Sequence, residues 1–217
     1  MSETITTYAL NKPDDPQPMD RDKFYREQVE SYKKTGKPTR AIAIVNAFIF
    51  NPKGELFIQK RSDQKAHNPG LLDKSIGGHI RFGDSPDYTI MVETIQELQV
   101  PSITLLNRKD FLKTYELLGS YLSVVSIVQH IDTKMLNLKK TINNEEIIIA
   151  NKTHIYFGIY NGSMRTVDRE AKGILQYTLP ELEKEIKQSP NSFTNDIVFY
   201  LKNYKKEFED FINIISK

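Results

Sequence analysis

The sequence contains no cysteine and no tryptophan among its 217 residues. The absence of cysteine excludes disulfide bonds, thiolate zinc sites, iron–sulfur clusters and thiol nucleophiles together. An excess of charge of one sign is missing too, because 30 Lys and Arg stand against 28 Asp and Glu, a net charge of +2. A charge this small, without a clustered basic patch, gives no support for nucleic-acid binding or for an anionic membrane surface.

Long apolar runs are missing as well. The most apolar stretch, residues 41–50, contains Asn46 and is about half as long as a membrane helix must be. The N-terminus has no basic segment followed by an apolar one, so no secretory signal is expected. We therefore expect a cytoplasmic protein with no membrane partner and no clear nucleic-acid partner.

The composition is sufficient for one folded domain with additions. Apolar residues make up 39% of the chain, and 11 Tyr and 11 Phe are spread along it, which predicts a packed core. Residues 1–38 are expected to form an N-terminal arm, because three prolines within residues 13–18 favour loose, extended structure. A short helix over residues 20–34 follows in this arm, ended by Gly36 and Pro38. The main domain is predicted to span residues 39–217.

Several elements of the main domain can be predicted from local patterns. Residues 41–50 and 55–61 are rich in strand-forming residues and flank an Asn-Pro-Lys-Gly turn, which predicts a β-hairpin. Further strands are predicted at residues 121–131, 146–150 and 154–160, and a short helix at 179–186. Residues 195–215 repeat apolar residues at helical spacing and predict one long C-terminal helix. Its apolar stripe packs either in the core or on a second subunit, so a homodimer is possible.

A helix over residues 86–99 has the clearest boundaries in the chain. Ser85 can cap it, Pro86 suits its first position and Pro101 forbids its continuation. Its apolar residues fall on one stripe, which predicts the core side: Tyr88, Met91, Ile95 and Leu98.

Glu93 and Glu97 lie one turn apart on a different side of this helix. Two carboxylates in this arrangement can hold a hard divalent cation, or they can simply form a solvated acidic surface. Neither glutamate has a lysine or arginine three or four residues away in the helix that would offset its charge. The repulsion between the two carboxylates costs about 0.2–0.5 kcal/mol. That cost is small, and the pair alone favours the solvated surface.

The glycine loop before the helix changes this interpretation. Residues 77–100 resemble the Nudix box: Gly78 stands at its opening glycine, Asp84 at its first acid, Glu93 and Glu97 at two of its helix glutamates, and Val100 at its closing aliphatic position. The preceding residues, 60–79, are similar to the same segment of the isopentenyl-diphosphate-isomerase-like branch. The resemblance implies an α+β Nudix fold, with a mixed sheet sandwiched between helices. It also implies hydrolysis of a diphosphate bond in a nucleoside-diphosphate-linked small molecule, with Mg²⁺ or Mn²⁺ as cofactor.

The resemblance also implies roles for individual residues. Glu93 and Glu97 would be the catalytic residues and, with the carbonyl of Gly77, the metal ligands. Arg61, Lys65 and Gly78 would contact the substrate, although Arg61 and Lys65 can also be read as ordinary surface cations.

The box departs from the family pattern at three positions of the helix. Val92 replaces its arginine, Gln96 one of its glutamates and Gln99 its terminal glycine, while Arg81 adds a cation near the site. These changes imply weaker metal binding and leave an alternative open, a Nudix-fold module that binds a nucleotide or diphosphate without cleaving it.

Two further expectations follow from the resemblance. Isomerase activity is not expected, because the isomerases use a cysteine where Gly77 stands, and His79 is expected to be a hydrogen-bonded loop residue. The additional carboxylate that many relatives supply from a late loop has four candidates, between which the sequence does not choose: Glu145, Glu146, Asp168 and Glu170.

Overall fold

The computed structural model describes residues 3–65, 67–142, 145–164 and 171–216. The strands are β1 Thr4–Ala9, β2 Lys12–Asp20, β3 Arg40–Phe50, β4 Leu56–Arg61, β5 Leu72–Asp73, β6 Ile76–His79, β7 Ser102–Leu105, β8 Ser126–Ile142, β9 Glu145–Ile159 and β10 Ala171–Tyr177. The helices are α1 Arg21–Thr35, α2 Pro86–Leu98, α3 Arg108–Leu118, α4 Leu179–Gln188, α5 Asn195–Asn203 and α6 Lys205–Ile215.

A mixed sheet in the order β10-β4-β3-β9-β8-β7 forms the centre of the molecule. Strand β3 runs parallel to β9 and β7 runs parallel to β8, whereas β8 and β9 are antiparallel. Beyond Arg40, every residue of β3 is buried, because helices and other strands cover both faces of the sheet. The predicted α+β architecture is thus confirmed.

The hairpin of β3 and β4 opens almost immediately. The two strands share one registered pair, Phe50 with Leu56, and then separate. Strand β6 takes the place beside β3, with Asn46 opposite Gly77, while the short β5 pairs with β4. The divergence of β3 and β4 leaves room for a cavity between β4 and β6.

The N-terminal residues are better ordered than the sequence predicted. Strands β1 and β2 form a hairpin, β1 pairs with β3, and Ile5 is fully buried. The expectation of a loose arm was wrong because β2 pairs with β1 alone among the described strands, and such an edge position tolerates proline. Helix α1 is confirmed, with Asp20 as its cap and Gly36 in the left-handed conformation at its end.

The C-terminal segment forms two helices where one was predicted. The break lies at Tyr204, whose backbone leaves helical geometry (φ −121°, ψ 24°) and whose buried side chain donates a hydrogen bond to Asp132 at 3.2 Å. The apolar stripe of α5 and α6 packs in the main core, with the rings of Phe157 and Phe208 stacked 4.6 Å apart. The first of the two predicted alternatives is therefore the one observed: the apolar stripe packs in the core.

Other boundaries differ from the prediction in detail. Residues 119–121 form a short 3₁₀ turn and β8 begins only at Ser126, while β9 is one continuous strand where two were predicted. Helix α4 is confirmed, whereas β7 and α3 were not predicted. No helix in the described ranges is long and apolar enough to cross a membrane.

Candidate active site

A polar cavity of about 290 Å³ lies where β4 and β6 diverge. Charged groups of both signs line it. The acidic residues are Glu3, Asp73, Glu93, Glu97 and Asp196, and the basic residues are Arg21, Arg61, Lys65, Lys74, Arg81 and Lys140. Such a lining suits a ligand with charged groups of its own rather than an apolar one.

Gly77 and Gly78 form one wall of the cavity, and each is close to a functional side chain. A methyl group at Gly78 would overlap the carboxylate of Glu93 and lie only 2.7 Å from its Cγ. The missing side chain at Gly78 is therefore what lets Glu93 reach the β6 backbone.

Helix α2 begins and ends as the sequence predicted. The hydroxyl of Ser85 accepts a hydrogen bond from the Tyr88 amide at 3.1 Å, and Asp87 accepts one from the Tyr156 hydroxyl at 2.9 Å. Gln99, at the position of the family's glycine, has a left-handed backbone with φ 54°. The helix ends in the conformation that glycine favours although glycine is absent.

The predicted core side of α2 is wrong. Tyr88 and Ile95 are 54% and 53% exposed, and Met91 is exposed as well, whereas only Leu98 of the predicted stripe is buried. The buried side consists of Thr89, Ile90, Thr94, Glu97 and Leu98. The helix is rotated so that its glutamate side faces β4 and β6.

This rotation brings Glu97 into the interior. Its side chain is 4% exposed and accepts a hydrogen bond from Gln59 Nε2 of β4 at 3.3 Å. Glu93, one turn earlier, is half-buried against Gly78. A solvated acidic surface does not describe this pair, because both carboxylates line the cavity.

Arg61 lies at the cavity, but its donors are directed to the protein. Its guanidinium donates to the Asp73 carboxylate at 3.0 Å and to the backbone carbonyls of His67 and Asn68 at 2.8 and 3.1 Å. Arg61 thereby holds the loop that follows β4. Lys65, which belongs to this loop, also lines the cavity.

The sequence analysis missed a buried ion cluster around Lys74. The Lys74 ammonium donates to the carboxylates of Asp73 and Asp196, each at 3.3 Å. Burial alone would lower the pKa of Lys74, but these two carboxylates outweigh burial and raise it. Burial likewise opposes ionisation of Asp73, yet Lys74 and Arg61 keep its pKa low. The signal was an Asp-Lys pair inside an otherwise apolar run.

His79 contacts the N-terminal helix. Its Nε2 shares a hydrogen bond of 2.9 Å with the Tyr25 hydroxyl, so His79 is hydrogen-bonded as expected, but it lies in strand β6 and not in a loop, and its partner is 54 positions away in sequence. Burial, followed by repulsion from Lys140 and Arg21, lowers the pKa of His79 well below its usual value. The imidazole is therefore neutral at neutral pH.

The late-loop candidates lie elsewhere or outside the described residues. Glu145 forms an ion pair with Lys33, and Glu146 with Lys139, and neither glutamate lines the cavity. Asp168 and Glu170 lie outside the described residues.

The oxygen donors at the cavity fit a loosely held divalent cation. Within the described ranges, no three His, Asp or Glu side chains cluster as a metal site. Glu93, Glu97, Gly77 and Gln96 all line the cavity, and their carboxylate, carbonyl and amide oxygens are hard donors of the kind that suits Mg²⁺ when water and phosphate oxygens complete its shell. A metal would thus bind together with an anionic ligand.

Known proteins with a similar sequence or fold support the resemblance. No protein-family model matches the chain. A Nudix hydrolase of Deinococcus radiodurans is 37% identical over 59 residues, which cover 27% of this chain and 34% of that protein. The Nudix domain of Shewanella oneidensis NrtR, solved with ADP-ribose, superposes with a TM-score of 0.50 and 11% identity over 82% of this chain and 97% of that domain. The chain has the Nudix fold.

Two further similarities cover a smaller share of the matched protein. An isopentenyl-diphosphate Δ-isomerase of Halorhodospira halophila is 49% identical over 37 residues, 17% of this chain and 21% of that protein. The second is a bifunctional NMN adenylyltransferase/ADP-ribose pyrophosphatase of Francisella tularensis, solved with AMP and a Mn ion. It superposes with a TM-score of 0.50 and 13% identity, and the superposition covers 86% of this chain and 47% of that chain. The matched sequence segments span about a third or less of the first curated relatives.

Proposed function

We propose that this Nudix-fold protein hydrolyses a diphosphate bond in a nucleoside-diphosphate-linked small molecule. The observation that carries the proposal is the orientation of α2, whose Glu93 carboxylate lies beside Gly78 and whose Glu97 is buried, both lining a cavity rich in basic residues. Removing a carboxylate such as that of Glu97 from water is costly, and the fold nevertheless places it at the cavity. Their placement is explained if they act on a ligand or on its metal.

The carboxylates of Glu93 and Glu97 and the carbonyl of Gly77 would hold Mg²⁺ or Mn²⁺. When bound, such an ion would polarise the phosphoryl oxygens and favour ionisation of water. Glu93 is the better candidate for orienting the attacking water, since its carboxylate is half-buried at the glycine wall while that of Glu97 is fixed by Gln59. Lys65 and Arg81 line the same cavity and would attract the diphosphate, with Arg81 also paired with Glu3 at 2.8 Å.

The ligands of similar proteins support the choice of substrate class. The Shewanella Nudix domain was solved with ADP-ribose, and the Francisella enzyme, a bifunctional ADP-ribose pyrophosphatase, with AMP and a Mn ion. Both ligands are nucleotides, and ADP-ribose contains a diphosphate. A mixed-charge cavity of the present kind is compatible with them.

A second function, binding without hydrolysis, is favoured by the limited set of acids. Gln96 is neutral and exposed where the family pattern has a glutamate, and no three-acid cluster occurs in the described part of the chain. A site with few anions binds a divalent ion weakly. Turnover must therefore be measured directly.

The test is product release from dinucleotides, nucleotide sugars, coenzyme A and nucleoside triphosphates, each with Mg²⁺ or Mn²⁺. We expect metal-dependent cleavage by the native protein and a loss of about 10²-fold or more in Glu97→Gln. Glu209→Gln, an exposed position on α6, is the matched control and should retain full turnover.

Two outcomes would overturn parts of this proposal. Undiminished turnover in Glu97→Gln would remove the site assignment. Binding of nucleotides by the native protein without any product would favour the binding module. Isopentenyl diphosphate serves as a negative control, because the chain has no cysteine and we expect no isomerisation.

A further inference from the structure

Lys74 is a buried lysine that the hydrolytic proposal does not use. It follows β5 directly, and its side chain is 6% exposed. Lysine is rarely buried to this degree unless it is paired, and here it is paired with Asp73 and Asp196. The position of the charge is therefore specified by the fold.

The partners of Lys74 are themselves held in place. Asp73 accepts hydrogen bonds from the Thr194 hydroxyl at 2.8 Å and from the Arg61 guanidinium at 3.0 Å. Asp196 belongs to α5, so the ammonium connects the loop before β6 to the C-terminal helices. These contacts therefore hold the Lys74 ammonium at one position.

The ammonium reaches the cavity beside Gly77. A methyl group at Gly77 would lie 2.8 Å from Lys74 Cε and 3.2 Å from Nζ, so this glycine leaves the space that the ammonium occupies. Lys74 lies against Gly77, and Glu93 lies against Gly78. Because successive residues of a strand face opposite sides, the two side chains approach strand β6 from opposite sides. Both line the same cavity.

The ammonium retains capacity for a ligand. It carries three N–H donors, and in the described structure two of them are directed to the carboxylates of Asp73 and Asp196. A phosphate oxygen in the cavity is a suitable third acceptor, since charge-assisted hydrogen bonds are among the stronger ones.

We propose that the Lys74 ammonium binds a phosphate oxygen of the ligand and lets the cavity hold a diphosphate without a divalent metal. The inference rests on the proposed function for the class of ligand, and it adds a residue and a binding mode. It predicts that metal is needed for cleavage but not for binding.

The test is isothermal titration calorimetry with ADP-ribose and with inorganic pyrophosphate, both in EDTA. Lys74→Gln alone leaves the buried Asp196 carboxylate without its cation and Asp73 with Arg61 only, and it risks unfolding. The decisive variant is therefore Lys74→Gln/Asp196→Asn, which removes one charge of each sign, with Asp196→Asn as its matched control. Thermal unfolding of both variants checks that they are folded.

The native protein should bind at least one probe in EDTA. The double variant should bind it about 10-fold more weakly, or worse, than Asp196→Asn, which keeps Lys74. A purely structural role of the ion cluster would affect both variants alike and would overturn the inference, as would a native protein that binds neither probe in EDTA. Hydrolysis with Mg²⁺ is scored separately, so the inference and the proposed function can fail independently.

Discussion

Replacing Gly78 with alanine would put a methyl group into the space of the Glu93 carboxylate. The new carbon would lie 2.7 Å from Glu93 Cγ and closer still to the carboxylate. Since non-bonded carbons are normally about 3.5–4.0 Å apart, the Glu93 side chain must move by about 1 Å or more. A catalytic group misplaced by about this distance can lose about 10²-fold in rate, and we expect a loss of that size in kcat with Mg²⁺.

The fold should tolerate this change. Gly78 lies in strand β6, whose extended backbone alanine can adopt, and the displaced group is the end of a flexible side chain at a cavity. Alanine also lowers the entropy of the unfolded chain, worth about 0.4–1 kcal/mol, which offsets part of the rearrangement. The free energy of unfolding in urea should therefore change by no more than about 1 kcal/mol.

Gly119→Ala is the matched control, because no described atom lies within 4 Å of a methyl group there. It should leave turnover unchanged and raise the free energy of unfolding by no more than about 1 kcal/mol. Native turnover in Gly78→Ala would refute the reasoning, since it would show that the Glu93 carboxylate is not needed at the glycine wall.

Two further predictions concern stability. Gln99→Gly should raise the free energy of unfolding by about 0.5–1 kcal/mol, because glycine adopts the left-handed backbone at φ 54° without strain. Gln99→Ala should not raise it. A lower free energy of unfolding in the glycine variant would contradict this account. Burial, and then repulsion from His130 and Lys152, lowers the pKa of His154 to about 4. Between about pH 6.5 and pH 4 the unfolded chain thus binds more protons at this residue, and stability falls as the pH falls. His154→Gln should remove about 1–2 kcal/mol of the stability lost between about pH 7 and pH 5 in urea titrations, and an unchanged loss would show that other groups cause it.

Local signals predicted what depends on local chemistry. The boundaries of α1, α2 and α4 follow from capping side chains, prolines and glycines within a few residues of each end. The glycine loop and the two glutamates were likewise found because their spacing is a local pattern. What these signals give is the existence and extent of an element, and much less its orientation.

The remaining features depend on contacts between distant residues. The N-terminal hairpin forms because β1 pairs with β3, which the prolines of β2 gave no reason to expect. The ion cluster joins Lys74 to Asp196 across 122 positions of sequence, so the local Asp-Lys pair marks Lys74 but does not reveal its partner on α5. The orientation of helix α2 was predicted wrongly because Tyr88, Met91 and Ile95 were assumed to face the core, whereas Ile90 and Leu98 face it and the carboxylates line the cavity.

The rotation of α2 also has a practical consequence for handling the protein. Because the inward side of this helix carries Glu97, its bulky apolar residues Tyr88, Met91 and Ile95 are displaced to the surface. They line neither the cavity nor the core clusters. These positions are consequently open to redesign: polar replacements could improve solubility at high concentration, and dyes or immobilisation tags could be attached there without reaching the ligand.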